Sequence, residues 1–442
     1  MPTTAQLFAD HISLLQAKFS EIISRYKYDQ IVIHSGMQDY KFLDDMPFPF
    51  KVNPHFNYWV PVTDNPNCFL VVKPGSKPTL LYFQAADYWH EVAKDPEGFW
   101  TSQFDIKTIT SLDEARKIFG NSLGNSAYFG AYGNQFSLWG FKAANPEILM
   151  NEFHYLRAVK TPYEQYCMRE ASKIGAKGHI AAKNAFYNGA SEFEIHIEYL
   201  KASGLMEQFL PYGNIIGLNE HASTLHYMNV SQIRKPKDQL YSFLIDAGGQ
   251  YNGYASDITR TYSYQKDEFA DLIDALDKEQ LGLIDKLKVG EPYPETHLRS
   301  HHSVAKLLHD FKFVDLPSEA IVEKQISSTF LPHGIGHLLG MQVHDIGGFQ
   351  EGPHGGFIQR PDGHPYLRLT RNILDGFVFT IEPGLYFIPM LLDELKKSDN
   401  SKYINWDKIS TFIKFGGIRI EDNVLVTKTG TENFTRDAFN SL

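Results

Sequence analysis

The N-terminal stretch MPTTAQLFADHISLLQAKF breaks its apolar positions with polar and acidic ones, the pattern of an amphipathic helix rather than of a signal peptide. Short β-rich runs follow at 30–34, 68–72 and 79–83, separated by turn-formers at Pro66-Asn67 and Pro74-Gly75-Ser76, which predicts an α/β domain. Near residue 160 the pattern changes. Thr161-Pro162-Tyr163-Glu164 offers an N-cap, a proline in the first turn and a capping-box glutamate, so a long helix is expected from there to about Tyr187. A second start at Ser191, with Glu194 three residues on, is followed by Phe193, Ile197 and Leu200 at helical spacing. From Tyr241 onward, strands carrying isolated acids alternate with helices at 268–287 and 301–311, an α+β arrangement. Residues 352–363, rich in Gly, Pro and His, read as an exposed loop.

Length sharpens this division. A chain of 442 residues exceeds the roughly 250 to 300 at which single cores stop growing, so two domains are expected, 1–158 and 159–442. A net charge of -10 repels a phosphate backbone and argues against a nucleic-acid partner. With only Cys68 and Cys167, a disulfide framework is implausible and a reducing compartment fits. No apolar run reaches the roughly 18 residues of a membrane span, so a soluble, cytoplasmic protein without a membrane partner is expected.

Several carboxylates interrupt this hydrophobic pattern. Ser242-Phe243-Leu244-Ile245-Asp246 is a buried-strand run with an acid at its end, and a glycine-containing turn leads to a second strand on which Asp257, Thr259 and Thr261 share a face. The same anomaly recurs at Glu382, after Phe377-Val378-Phe379-Thr380-Ile381, and at Glu421, after Gly417-Ile418-Arg419-Ile420. A single such Asp is more often a turn or edge residue. Four buried carboxylates need cationic partners, and Arg419, on the face of Glu421, cannot neutralise all four. A fifth candidate lies in Leu331-Pro332-His333-Gly334-Ile335-Gly336-His337, whose glycines argue against a regular helix and for close backbone approach. One imidazole and four carboxylates make a hard, oxygen-rich site for two divalent ions, suited to manganese, magnesium or iron(II).

The order Asp, Asp, His, Glu, Glu in these contexts resembles the pita-bread metallopeptidases, which include methionine aminopeptidase, aminopeptidase P and prolidase. The stretches FLDDMPFPFKVNPHF, PYGNIIGLNEHASTLHY, DAGGQYNGYASDITRTY, LPHGIGHLLGMQVHDIGGF, FTIEPGLYFI and FGGIRIEDN resemble bacterial prolidases, and the marine bacterial organophosphorus acid anhydrolases are similar. Lys414 departs from the proline that this branch usually carries there.

The resemblance implies a pita-bread (creatinase/aminopeptidase-like) catalytic domain behind a smaller α/β domain that serves dimerisation and the active-site rim. It implies that Asp257 and Glu421 bridge two metal ions, expected to be Mn2+, and that Asp246, His333 and Glu382 complete the shells. Glu382 is the implied general base for a metal-bridging hydroxide, with His226 and His344 beside the reacting centre. His337 is assigned to substrate contact or to holding His333, Arg371 and Arg419 to the substrate carboxylate, Tyr212 and Leu225 to the pocket wall, and Asp45 to a substrate amine across a homodimer interface. The implied activity is hydrolysis of Xaa-Pro dipeptides, whose tertiary amide has no N–H for a backbone-reading enzyme to hold, with organophosphorus triesters as further substrates. The alternatives are a primary organophosphorus acid anhydrolase and a non-catalytic pita-bread binding protein. The second should lack the metal ligands.

Overall fold

The amphipathic N-terminus forms the helix Thr4–Arg25, capped by Thr3, with Phe8, Ile12, Leu15, Phe19, Ile22 and Ile23 on its buried face. The computed structural model describes residues 2–442 and separates into two units. The first comprises residues up to Arg157 with Thr161–Glu164 and Gly352–Gly355, and the second Ala158–Lys160, Gln165–Glu351 and Gly356–Leu442. In the first unit a six-stranded mixed sheet runs in the order Asp105–Ile109, Thr79–Phe83, Phe69–Val72, Gln30–His34, Ser126–Phe129, Ala143–Ala144. The three early β-rich runs are thus three adjacent strands.

The second unit repeats one theme, a pair of helices followed by antiparallel strands. Helices Pro162–Tyr187 and Glu192–Ser203 precede the sheet Thr259–Ser263, Ser242–Asp246, Ile215–Leu218. Helices Glu268–Ile284 and Tyr293–Asp310 precede the sheet Phe377–Ile381, Asp422–Thr427, Gly430–Asn433. The capping box at Ser191 is complete, since its hydroxyl accepts from Glu194 N while Glu194 accepts from Ser191 N. The expected helix at 301–311 begins earlier, at Tyr293, because Pro294 sits in the first turn, where a missing N–H costs no helical bond.

Two local details position the acids. Strand Ser242–Asp246 is buried along its whole length, and burying Phe243, Leu244 and Ile245, each worth roughly 1.5–3 kcal/mol, fixes Asp246 at its end opposite Thr259. The β-rich run that carries Glu421 is broken into two strands. Gly417–Arg419 pairs with Gly384–Tyr386, Asp422–Thr427 pairs with Phe377–Ile381, and at the break Glu421 N donates to Thr259 O at 3.0 Å. Each sheet therefore delivers a carboxylate where the two meet. Among the described residues no helix is long and apolar enough to cross a membrane.

Candidate metal centre

The glycine-embedded histidines lie on an extended segment laid against strand Phe377–Ile381, with Glu382 N donating to Ile335 O at 2.8 Å and Thr380 N to His337 O at 3.0 Å. This close approach explains Gly336, where any Cβ would fall on the Thr380 carbonyl oxygen. His333 and His337, an even number of residues apart, emerge on the same side, into a cavity of about 610 Å³. Asp246, Asp257, Glu382, Glu421, Leu225, His226, His344 and Arg419 line the same cavity. All four sequence-identified carboxylates are thus brought together.

Ligating atoms of Asp257, His337 and Glu421 lie within 4.8 Å of one another. His337 Nε2 is 3.4 Å from Asp257 Oδ2 and 3.5 Å from Glu382 Oε1, and its Nδ1 is 3.1 Å from Leu338 O. His333 sits differently. Its Nδ1 contacts Gly334 O at 2.8 Å, its Nε2 contacts the Tyr386 hydroxyl at 2.8 Å, and its nearest approach to Glu382 is 3.7 Å. Tyr386 in turn accepts from Arg419 Nη1 at 3.0 Å, so both ring nitrogens of His333 are engaged in holding the wall. Of the two rings, that of His337 reaches the acids more closely.

Arg419 does not pair with Glu421 as its strand position implied. Its Nη2 donates to Asp246 Oδ2 at 2.6 Å and its Nε to Thr259 Oγ1 at 3.2 Å, because the strand breaks before Glu421. Glu421 accepts instead from the Thr259 hydroxyl at 2.7 Å. The Tyr212 hydroxyl lies 2.7 Å from Asp246 Oδ1 and 2.5 Å from Asp257 Oδ1, which makes this residue a brace for two acids rather than simple pocket wall.

One expected substrate contact sits elsewhere. Arg371 is buried, donates to Gly347 O at 3.1 Å and lies over the Phe377 ring, outside the cavity lining. Its sequence neighbour Arg368, which the sequence reading passed over, is exposed and lines the cavity. The strict alternation of Leu367, Arg368 and Leu369 between buried and exposed positions was the available signal. Asp45 is an exposed residue of the first unit.

The electrostatics test whether these residues suit cations. Burial pushes the Glu382 carboxyl up to about 7 and Glu421 well above the usual carboxylate range, and in both cases neighbouring carboxylates add to the rise. Asp246 is also raised by burial, against the pull of Arg419. Burial works against the Asp257 anion too, but the hydrogen bond and charge of His337 hold it below its ordinary value. His333 is lowered to about 4 by burial and by Arg419, and His344 to about 4 by burial and by His337, whose ring it meets edge-on at 4.4 Å. Four acids so crowded, with one guanidinium paired to one of them, fit a site for divalent cations.

Two family models match the chain: "Xaa-Pro dipeptidase, N-terminal domain" over residues 6–155 and "Metallopeptidase family M24" over residues 166–428. The chain is 48% identical over 437 residues to an Xaa-Pro dipeptidase of Shewanella denitrificans, and 48% identical over 438 residues to one of Pseudoalteromonas translucida, covering 99% of both chains in each case. Among solved structures, the low-pH form of aminopeptidase P from E. coli matches with a TM-score of 0.74 at 20% identity, over 99% of this chain and 96% of that one. That likeness establishes the expected pita-bread fold with its preceding domain.

Proposed function

The chain belongs to metallopeptidase family M24, and from that premise we propose that it is an Xaa-Pro dipeptidase. The observation that carries this reading is the convergence of four carboxylates and His337 on a cavity whose rim presents Arg368 beside an apolar wall of Leu225, Ile388 and Leu391. Asp246, Asp257, His337, Glu382 and Glu421 would hold two divalent ions, and the oxygen-rich donor set favours manganese. When bound, such ions polarise the scissile carbonyl and acidify water. The protein's own groups do the rest. Glu382 would serve as the base that takes a proton from the attacking water and returns it to the leaving nitrogen. His226 and His344, both on the cavity lining, face the scissile carbonyl oxygen and the leaving nitrogen. Arg368 grips the proline carboxylate and the apolar wall takes the proline ring, so a chain continuing beyond proline is excluded.

The homodimer assigned from the resemblance is supported by the exposed Phe42 and Leu43 beside Asp45, and a cytoplasmic location by a chain with only two cysteines, both buried. Metal-stripped protein assayed on a panel of Xaa-Pro dipeptides, before and after addition of manganese, tests the main reading. Cleavage should appear only with metal and should stop when the proline carboxylate is amidated. Equal cleavage of acid and amide would sink the dipeptidase assignment.

Hydrolysis of organophosphorus triesters is a further proposal at the same centre. A tetrahedral phosphoryl group resembles the tetrahedral intermediate of amide hydrolysis, so groups arranged for one suit the other. Asp246→Asn should abolish both activities, and survival of the phosphotriesterase activity alone would separate them.

A further inference from the structure

A second cluster of metal-binding side chains lies outside the carboxylate centre. Helix Tyr293–Asp310 carries His297 and His301 one turn apart on one face, both buried, and His364 joins them from the segment that follows residue 356. One ring nitrogen from each of the three lies within 4.8 Å of the others. The rings meet steeply, His297 with His301 at 4.8 Å and 89°, His297 with His364 at 4.6 Å and 89°, and His301 with His364 at 4.6 Å and 59°, so no two of them stack face to face.

The hydrogen bonds do not account for these nitrogens. His297 Nε2 is 2.9 Å from His364 Nδ1, a pair that one proton satisfies. His301 Nδ1 meets the Ser327 hydroxyl at 3.1 Å, yet the buried His301 Nε2 has no hydrogen-bond partner, and neither has His297 Nδ1. Burial holds His297 down to about 2 and His301 to about 3, with neighbouring histidines adding to it, so both rings are neutral and offer lone pairs at any ordinary pH. Three converging imidazoles, two of them with an orphaned nitrogen and one of those two oriented from behind by a hydroxyl, make a ligand set with outer support in place.

We propose that His297, His301 and His364 form a second cation site, separate from the carboxylate centre, that takes one zinc ion. Its donors are all imidazole nitrogen, which suits zinc, whereas the carboxylate centre is dominated by hard oxygen donors. Bound zinc ties the segment bearing His364 to the helix. That segment continues through Leu367, whose backbone packs against Gly334, to Arg368 at the cavity. The site is therefore a structural clamp on one cavity wall.

The test uses full-length, metal-stripped protein loaded with zinc or with cobalt(II), followed by gel filtration and elemental analysis. The His364→Ala protein should retain one zinc fewer per chain than the parent, while Glu421→Gln should keep this ion. Cobalt(II) at this site should give intense visible bands of low-coordinate geometry that vanish in His364→Ala and persist in Glu421→Gln. In the Glu421→Gln background, zinc should raise the melting temperature by several degrees, and adding His364→Ala should remove that rise. His364 is only half-buried, so its loss should leave the metal-free fold intact by circular dichroism, and His364→Gln serves as the second variant. Equal zinc content and equal cobalt spectra in the parent and both His364 variants would overturn the proposal, as would bands lost only with Glu421→Gln.

Discussion

His333 and His337 share a face of one extended segment, and only their partners tell them apart. Sequence supplied the segment and the glycines that let it approach strand Phe377–Ile381, but not which ring would turn toward Tyr386, a residue 53 positions away from His333. With His337 as ligand, His337→Ala should lose metal and nearly all turnover. His333→Ala should keep its metal with affinity lowered by about 10–100-fold at most, the usual range for a supporting group. Elemental analysis of both proteins decides it, and the reverse ranking would return the ligand role to His333. A similar ambiguity between near neighbours separates Arg371 from Arg368. Charge-assisted hydrogen bonds worth about 1.5–3 kcal/mol predict that Arg368→Ala raises KM for a dipeptide by roughly 10–100-fold with kcat less affected. Arg371→Lys should act on the melting temperature rather than on KM, because the guanidinium lies over Phe377 and donates to Gly347 O. A large KM effect from Arg371→Lys alone would reverse this assignment.

At the scale of elements, strands that end in acids were legible because a carboxylate in a β-branched, aromatic run contradicts its surroundings. The break between Arg419 and Asp422 was not legible, since its cause lies in the two separate partners of the flanking strands, Gly384–Tyr386 and Phe377–Ile381. The acid that anchors this break also escaped notice. Asp422 is fully buried and accepts from Arg260 Nη2 at 2.6 Å, Arg436 Nε at 2.7 Å and Asn433 Nδ2 at 2.8 Å. Burial opposes its ionisation, but Arg260 and Arg436 outweigh that and hold the carboxyl down at about 2. Removing it leaves two partly buried guanidinium groups without their shared acid, so Asp422→Ala should cost at least about 1.5–3 kcal/mol, seen as a lower melting temperature, even though Asp422 is not a proposed ligand. The native carboxyl lies below its unfolded value. Its stabilisation is therefore present above about 4 and lost as pH falls toward about 2, and Asp422→Asn should flatten that part of the acid-unfolding curve. An unchanged acid limb would show that the Arg260–Asp422–Arg436 cluster does not report on strand Asp422–Thr427.

Across the whole molecule, length announced two units and the acids announced a cation site, and together these make stability depend on pH and metal jointly. In the metal-free protein Glu382 is held up to about 7 and Glu421 is likewise raised well above its ordinary value, by burial first, with neighbouring carboxylates adding to the rise. A folded value above the unfolded one means stability that is complete below about 4.5 and lost as pH rises through about 7. These two groups therefore weaken the metal-free fold toward alkaline pH. Cations reverse the sign, because they bind the ionised carboxylates and displace the same protons, so affinity should rise about tenfold per pH unit for each proton released. Ligand binding to the folded state then adds stability in proportion to the logarithm of metal concentration over Kd. The gap in melting temperature between manganese-loaded and metal-stripped protein should accordingly widen from pH 5 to pH 8. Comparing the gap, rather than either curve, cancels contributions such as that of Asp422, which are common to both forms. Glu382→Gln cannot release its proton and should narrow the widening while leaving the acid limb unchanged. A gap that stays constant over this range would mean that the carboxylates are already ionised without metal, and that the crowding of Asp246, Asp257, Glu382 and Glu421 is relieved by some other countercharge.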